Sequence, residues 1–176
     1  MQVSNGFSRQ GMSVVAFWLT AILVVIADQV TKVAVRHLMP LGSAPRPFIP
    51  GVIDLYRVEN TGAAFSIGRG ATWVFVLCAA VAFVVACYLV WNNELPFSLV
   101  LSLGCVAGGG VGNMIDRVAT GSVTDFLATT FIDFPVFNVA DIFVTCGVLT
   151  SLVLYLRWEA TEGRSEHNNV DGGLHA

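Results

Sequence analysis

Long apolar runs alternate with short polar stretches along this chain, and the runs are too long for an ordinary soluble core. Residues 71–91 and 95–115 carry no charge over 21 positions each. Residues 11–27 are uncharged and lead into Asp28 and Lys32, and 137–156 are interrupted only by Asp141. Crossing the ~30 Å hydrocarbon layer takes about 20 apolar residues in a helix. The pattern predicts a membrane all-α bundle of four transmembrane helices, at about 13–35, 71–91, 95–115 and 137–157. Four crossings put both termini on one side, with the tight connection around 92–95. The other side receives Asp28, Lys32, the whole of 36–70, Asp116, Arg117, Asp125, Asn138 and Asp141. The unusual polar groups gather at one membrane face.

The stretches between the runs have readable structure. Pro40, Pro45, Pro47 and Pro50 make 40–51 an irregular, stiff connection that cannot be helical. Residues 52–58 are rich in β-branched and aromatic side chains and predict a short strand. Asn60-Thr61-Gly62 is a turn signal, after which 63–67 can return as a second strand. A small β-hairpin cap over 36–70 is expected on the membrane surface. Residues 1–12 form a polar tail, and 159–176, polar and glycine-containing, are expected to be disordered.

Composition strengthens the membrane reading: the chain is 55% hydrophobic and only 12% charged, against about 25% charged for a soluble domain. Its 176 residues hold one bundle (13–158) with one cap and leave no room for a second domain. The net charge of −3, with no basic cluster, speaks against nucleic acid as a partner. Cys78, Cys87, Cys105 and Cys146 lie in apolar spans without close pairing and read as packing residues. His37, His167 and His175 lack metal-ligand spacing, so no metal or cofactor is expected. Nor does the first run read as a cleavable signal peptide. Only Arg9 precedes it, and it continues through Asp28 and Lys32 without an Ala-x-Ala-like site. Lys32, Arg36, Arg46, Arg57, Arg69 and Arg117 on the polar face outnumber Arg9, Arg157 and Arg164 on the other. By the positive-inside rule, that count puts the polar face in the cytoplasm.

Gly104, Gly108 and Gly112 recur every four residues, the spacing of a small-residue face that lets a neighbouring helix approach. One turn on come Asn113, Asp116 and Arg117. Asn113 and Arg117 share a face, and Asp116 can pair with Arg117 or with Lys32. Asp28 and Lys32, four apart, can form an intrahelical pair. Asp125 and Asp141 have no obvious local cation, and Asn138 can cap the fourth helix so that Asp141 falls in its first turn. Two carboxylates sharing a site hold one proton between them near neutrality, as an aspartyl hydrolase requires. Ion or proton binding and plain capping remain open for the same pair. Serine chemistry has less support, because no Gly-x-Ser-x-Gly is present and no histidine lies in a span. A small ion-coupled carrier using Asp28, Asp116 and Asp141 is disfavoured by the one-sided clustering and the lack of inverted repeats. A scaffold using the glycine face remains a third class.

Five motifs, in order, carry a resemblance. They are Asp28-Gln29-Val30-Thr31-Lys32, Asn60-Thr61-Gly62-Ala63-Ala64-Phe65, Gly109 through Arg117, Val123-Thr124-Asp125-Phe126 and Phe137-Asn138-Val139-Ala140-Asp141. Together they closely resemble bacterial lipoprotein signal peptidase (signal peptidase II), over about 16–158. The resemblance implies an intramembrane aspartyl endopeptidase, with membrane lipids around it and lipid-modified prolipoprotein signal peptides as its partners. It would cut just before a diacylglyceryl-modified cysteine and act as a monomer without a cofactor. It also implies Asp125 and Asp141 as the catalytic dyad. Asn60, Gly62, Asn113, Arg117 and Asn138 would hold substrate or dyad, and Asp28, Lys32 and Asp116 would support the site. It further implies a bacterial cytoplasmic-membrane location with cytoplasmic termini and the site near the outer face, the reverse of the charge count. A surface β-structure and a short amphipathic helix would fall in 36–70.

Overall fold

The computed structural model describes residues 9–62 and 72–172. Among these are α1 (Arg9–Leu38), β1 (Arg46–Ile49), β2 (Ile53–Asn60), α2 (Thr72–Asn92), α3 (Phe97–Thr120), β3 (Val123–Thr129) and α4 (Val139–Gly172). All four helices are long and apolar enough to cross a membrane, and the chain is a multi-pass membrane protein. Their outward faces expose large apolar side chains such as Leu23, Leu77, Val84 and Leu149, which suits hydrocarbon as the surrounding medium.

The third helix is the hub, packed against α1, α2 and α4. Its glycines permit this. A Cβ on Gly108 would come within 2.6 Å of the Ala21 carbonyl oxygen, and one on Gly112 within 2.5 Å of Asp28 Oδ2. The stripe is therefore the close-packing face against α1 that its spacing predicts. Phe17, Ala86, Val90, Leu99, Val100 and Ala107 fill the space between helices. The helix stops at Gly121, whose φ of 79° suits the left-handed cap and whose N–H donates to the Arg117 carbonyl.

The cap is a three-stranded antiparallel sheet in the order β1-β2-β3: a hairpin lies within 36–70, made by β1 and β2, and a third strand is added to it. The irregular stretch expected over 40–51 contains β1, an exposed edge strand on which Pro47 costs no needed donor. A tight turn follows, with the Val52 N–H donating to the Ile49 carbonyl at 2.9 Å. Gly51, at φ 73°, supplies the positive φ such a turn needs after Pro50. The third strand comes from beyond α3, a pairing too distant in sequence to read locally. The proposed return strand at 63–67 lies outside the described residues. No helix occurs in 39–62, and the rest of the stretch expected to hold a short amphipathic helix lies outside the described residues.

At the C-terminus α4 continues past the expected end of the span, to Gly172. Helix propagation adds one hydrogen bond per residue once a turn exists. The membrane span supplies that nucleus, so a polar continuation extends it.

Candidate active site

The site assembles where the sheet meets the polar ends of α1, α3 and α4. Asp125 projects from β3 and Asp141 from the first turn of α4, and both line one cavity of about 260 Å³. Asn60, Asn113, Arg117 and Thr145 complete its polar lining, while Val123 and the run 134–137 form apolar walls. Strand alternation explains the convergence. Register places Val58 opposite Asp125 and Asn60 opposite Val123, so Asn60 and Asp125 share a face.

Three asparagines hold the two acids. Asn60 Nδ2 donates to Asp125 Oδ2 at 2.9 Å, and Asn138 Nδ2 donates to Asp125 Oδ1 at 2.7 Å. Asn113 Nδ2 donates to Asp141 Oδ1 at 2.8 Å. Asn138 also forms a reciprocal cap with Asp141: each backbone N–H donates to the other's side-chain oxygen at 3.0 Å. One asparagine side chain thus touches both acids. Gly62 donates its N–H to Asn60 Oδ1 at 2.9 Å and accepts from Arg117 Nη2 at 3.2 Å. The Arg117 guanidinium also lies 5.1 Å from the Phe75 ring centroid, tying α3 to α2.

Among the described residues, neither Asp125 nor Asp141 has an ion pair. Asp125 is 3% exposed. Burial pushes its carboxyl up from 3.8 to about 6. The Asp141 charge adds to the rise, while hydrogen bonds from Asn60 and Asn138 and the Lys32 charge oppose it. The described residues contain no group of three acids, histidines or cysteines fit to hold a metal.

Asp28, Lys32 and Asp116 lie beneath the cavity rather than in it. Lys32 Nζ pairs with Asp28 at 2.9 Å and with Asp116 at 3.3 Å, and it donates to Asn113 Oδ1 at 2.8 Å. Of the two pairings open to Asp116, Lys32 is the one made, and Arg36 joins it at 2.7 Å. Asp28 Oδ1 also accepts the Ala140 N–H at 3.0 Å, fastening the start of α4 to α1. Arg36, Gln29, Glu59 and Thr124 belong to this ionic layer and escaped the sequence reading. Gln29, next to Asp28, donates to Asp28 Oδ2, the Gly112 carbonyl and Asp116 Oδ1. No local pattern marks Thr124, because its place back to back with Asp125 follows from the pairing of β3 with β2.

Comparison with known proteins gives the family and the fold. A family model described as Signal peptidase (SPase) II matches residues 20–157. A lipoprotein signal peptidase of Symbiobacterium thermophilum is 50% identical over 131 residues, covering 73% of this chain and 86% of its own. One from Streptococcus pyogenes serotype M1 is 38% identical, covering 78% and 90%. A bacterial membrane enzyme solved by the in meso method at 2.3 Å superposes with a TM-score of 0.74 at 32% identity. That superposition covers 84% of this chain and 88% of the solved one.

Proposed function

This chain belongs to the signal peptidase II family, and we propose that it is an aspartic endopeptidase releasing signal peptides from prolipoproteins. It cuts before a diacylglyceryl-modified cysteine, acting as a monomer with Asp125 and Asp141 as its dyad. The observation that carries the reading is the pair of acids on one cavity, joined by Asn138, with neutral amides where counter-ions would otherwise be.

The two acids differ in a way that divides the labour. Burial raises the Asp125 carboxyl to about 6, so Asp125 is assigned the shared proton, which it takes up as pH falls through that value. Asp141 sits in the first turn of α4, its backbone N–H donating to the Asn138 side chain. Asp141 takes a proton from water as the water oxygen bonds to the scissile carbonyl carbon, and Asp125 passes its proton to the carbonyl oxygen. In the collapse, the proton on Asp141 goes to the departing nitrogen and Asp125 recovers its own from the diol. Asn60, Gly62, Asn113 and Asn138 hold the dyad. Arg117, on the same cavity, has donors to spare for a substrate carbonyl.

The site faces outward and the termini inward. The excess of cations on the polar face loses weight because Lys32, Arg36 and Arg57 are neutralised in ion pairs. A paired cation presents little net charge to the membrane potential or to anionic lipid. The decisive experiment compares one precursor with and without its diacylglyceryl group. Acyl chains contribute roughly 0.8 kcal/mol per buried methylene to membrane binding, which holds the scissile bond beside the site. Cleavage is expected of the modified precursor alone; equal rates would remove lipid from the reading.

A further inference from the structure

The reverse face of the sheet carries a polar cluster for which the reaction above has no use. Register pairs Glu59 of β2 directly with Thr124 of β3, the residues just before Asn60 and Asp125. Side chains alternate along a strand, so Glu59 and Thr124 turn away from the cavity. The Thr124 hydroxyl donates to Glu59 Oε1 at 3.2 Å and accepts from Arg36 Nε at 2.8 Å. Its backbone N–H donates to Asp116 Oδ2 at 3.1 Å, and Arg36 Nη2 reaches Asp116 Oδ1 at 2.7 Å. Glu59 is held in turn by Arg57 at 2.9 Å and by the Ser122 hydroxyl at 3.1 Å. Arg57 donates back to the Arg36 and Met39 carbonyls at the end of α1, at 3.1 and 3.2 Å.

Packing alone does not call for this cluster. Valine would fill the volume of Thr124, 1% exposed, without a hydroxyl that needs partners. What the hydroxyl adds is direction: it holds β3 to α1 through Arg36 and to β2 through Glu59, while the backbone N–H of the same residue holds β3 to α3 through Asp116. The two acids of the site arrive on separate bodies, Asp125 on the sheet and Asp141 on a helix. Their spacing therefore depends on how the sheet is fastened to the bundle.

We propose that Thr124, clamped by Arg36, Asp116 and Glu59, is a positioning residue that sets the place of Asp125 against Asp141 and so the rate of the chemical step. This rests on the dyad reading above. Among the described residues, the charges acting on Asp125 are Asp141 from α4, Lys32 from α1 and Arg117 from α3; β2 contributes the neutral Asn60. All of these survive substitution of Thr124. A displaced pH profile then reports movement of Asp125 rather than loss of a charge.

The test uses the purified full chain in detergent with a diacylglyceryl-modified precursor. Thr124→Val should lower kcat about tenfold or more at unchanged KM and displace the pH profile, and Thr124→Ser should recover to within about threefold of wild type. Arg36→Lys keeps the charge on Asp116 but loses the fork to Thr124, and should act as Thr124→Val does. It serves as the test if Thr124→Val fails to fold. Wild-type kcat and pH profile in these variants would overturn the proposal. So would a Thr124→Ser as impaired as Thr124→Val, or a loss that only tracks the folded fraction with the profile unmoved. Asp125→Asn in the same assay separates the two ideas. If it stays active the dyad itself is wrong; if it is dead while Thr124→Val is normal, only the positioning role falls.

Discussion

Two clusters, each built on a pair of aspartates, lie one above the other in this protein and have opposite electrostatics. In the lower one, Asp28 and Asp116 face Lys32 and Arg36, so two negative charges meet two positive ones. In the upper one, Asp125 and Asp141 meet, among the described residues, only the amides of Asn60, Asn113 and Asn138 at hydrogen-bond distance. Asn113 is the hinge between them: its oxygen accepts from Lys32 and its nitrogen donates to Asp141. Counter-ions make the lower pair an ion-paired anchor. In the proposed mechanism, their lack at ion-pair distance is what allows the upper pair to share a proton. The residue type is the same, and the neighbours differ.

The largest way to break the contrast is Asp→Asn. At Asp125 or Asp141 this change should lower kcat about a thousandfold or more while leaving the fold intact, since acid–base catalysis is lost outright. Asp28→Asn should instead lower thermal stability in detergent before it affects turnover per folded molecule. A folded Asp125→Asn with wild-type cleavage would send the upper cluster back to a structural role.

Next in size is Lys32→Met, which strands buried Asp28 without a cation and leaves Asp116 with Arg36 alone. Its expected cost is about 3–5 kcal/mol in unfolding free energy. Combining it with Asp28→Asn should restore part of that loss, because the double variant removes the stranded charge. A double variant no more stable than Lys32→Met would contradict the ion-pair account.

Cutting the hinge should have a smaller effect. Asn113→Ala leaves Asp141 Oδ1 and Lys32 each one partner short, at a cost of about 1–3 kcal/mol. Both turnover and stability should fall, which neither cluster does alone. Loss of only one of the two would mean that Asn113 belongs to a single cluster.

The finest test reads the proton itself. A carboxylic-acid infrared band should titrate near pH 6, disappear in Asp125→Asn and persist in Asp141→Asn. The reverse pattern would move the proton to Asp141. The sign for stability follows from the same shift. A carboxyl raised from 3.8 to about 6 binds its proton more tightly when folded. Its contribution is fully present below pH 3.8 and is lost as pH rises through about 6.

The sequence by itself determined the four spans, because a run of about 20 uncharged residues has few fates other than a membrane helix. It also determined the close approach of α1 to α3 through glycine spacing, the cap at Asn138, and the family motifs. These are local signals, readable within one or two helical turns. Tertiary structure decided what no local window contains. The third strand comes from beyond α3, so the cap is a sheet and Asp125 lies on a strand rather than on a connection. The choice of Lys32 and Arg36 for Asp116, and the back-to-back placement of Thr124 with Asp125, follow from that pairing. A strand's two faces are symmetric in sequence until its partners are known. Which acids meet cations and which meet only amides is therefore set by register and helix packing, not by the order of residues.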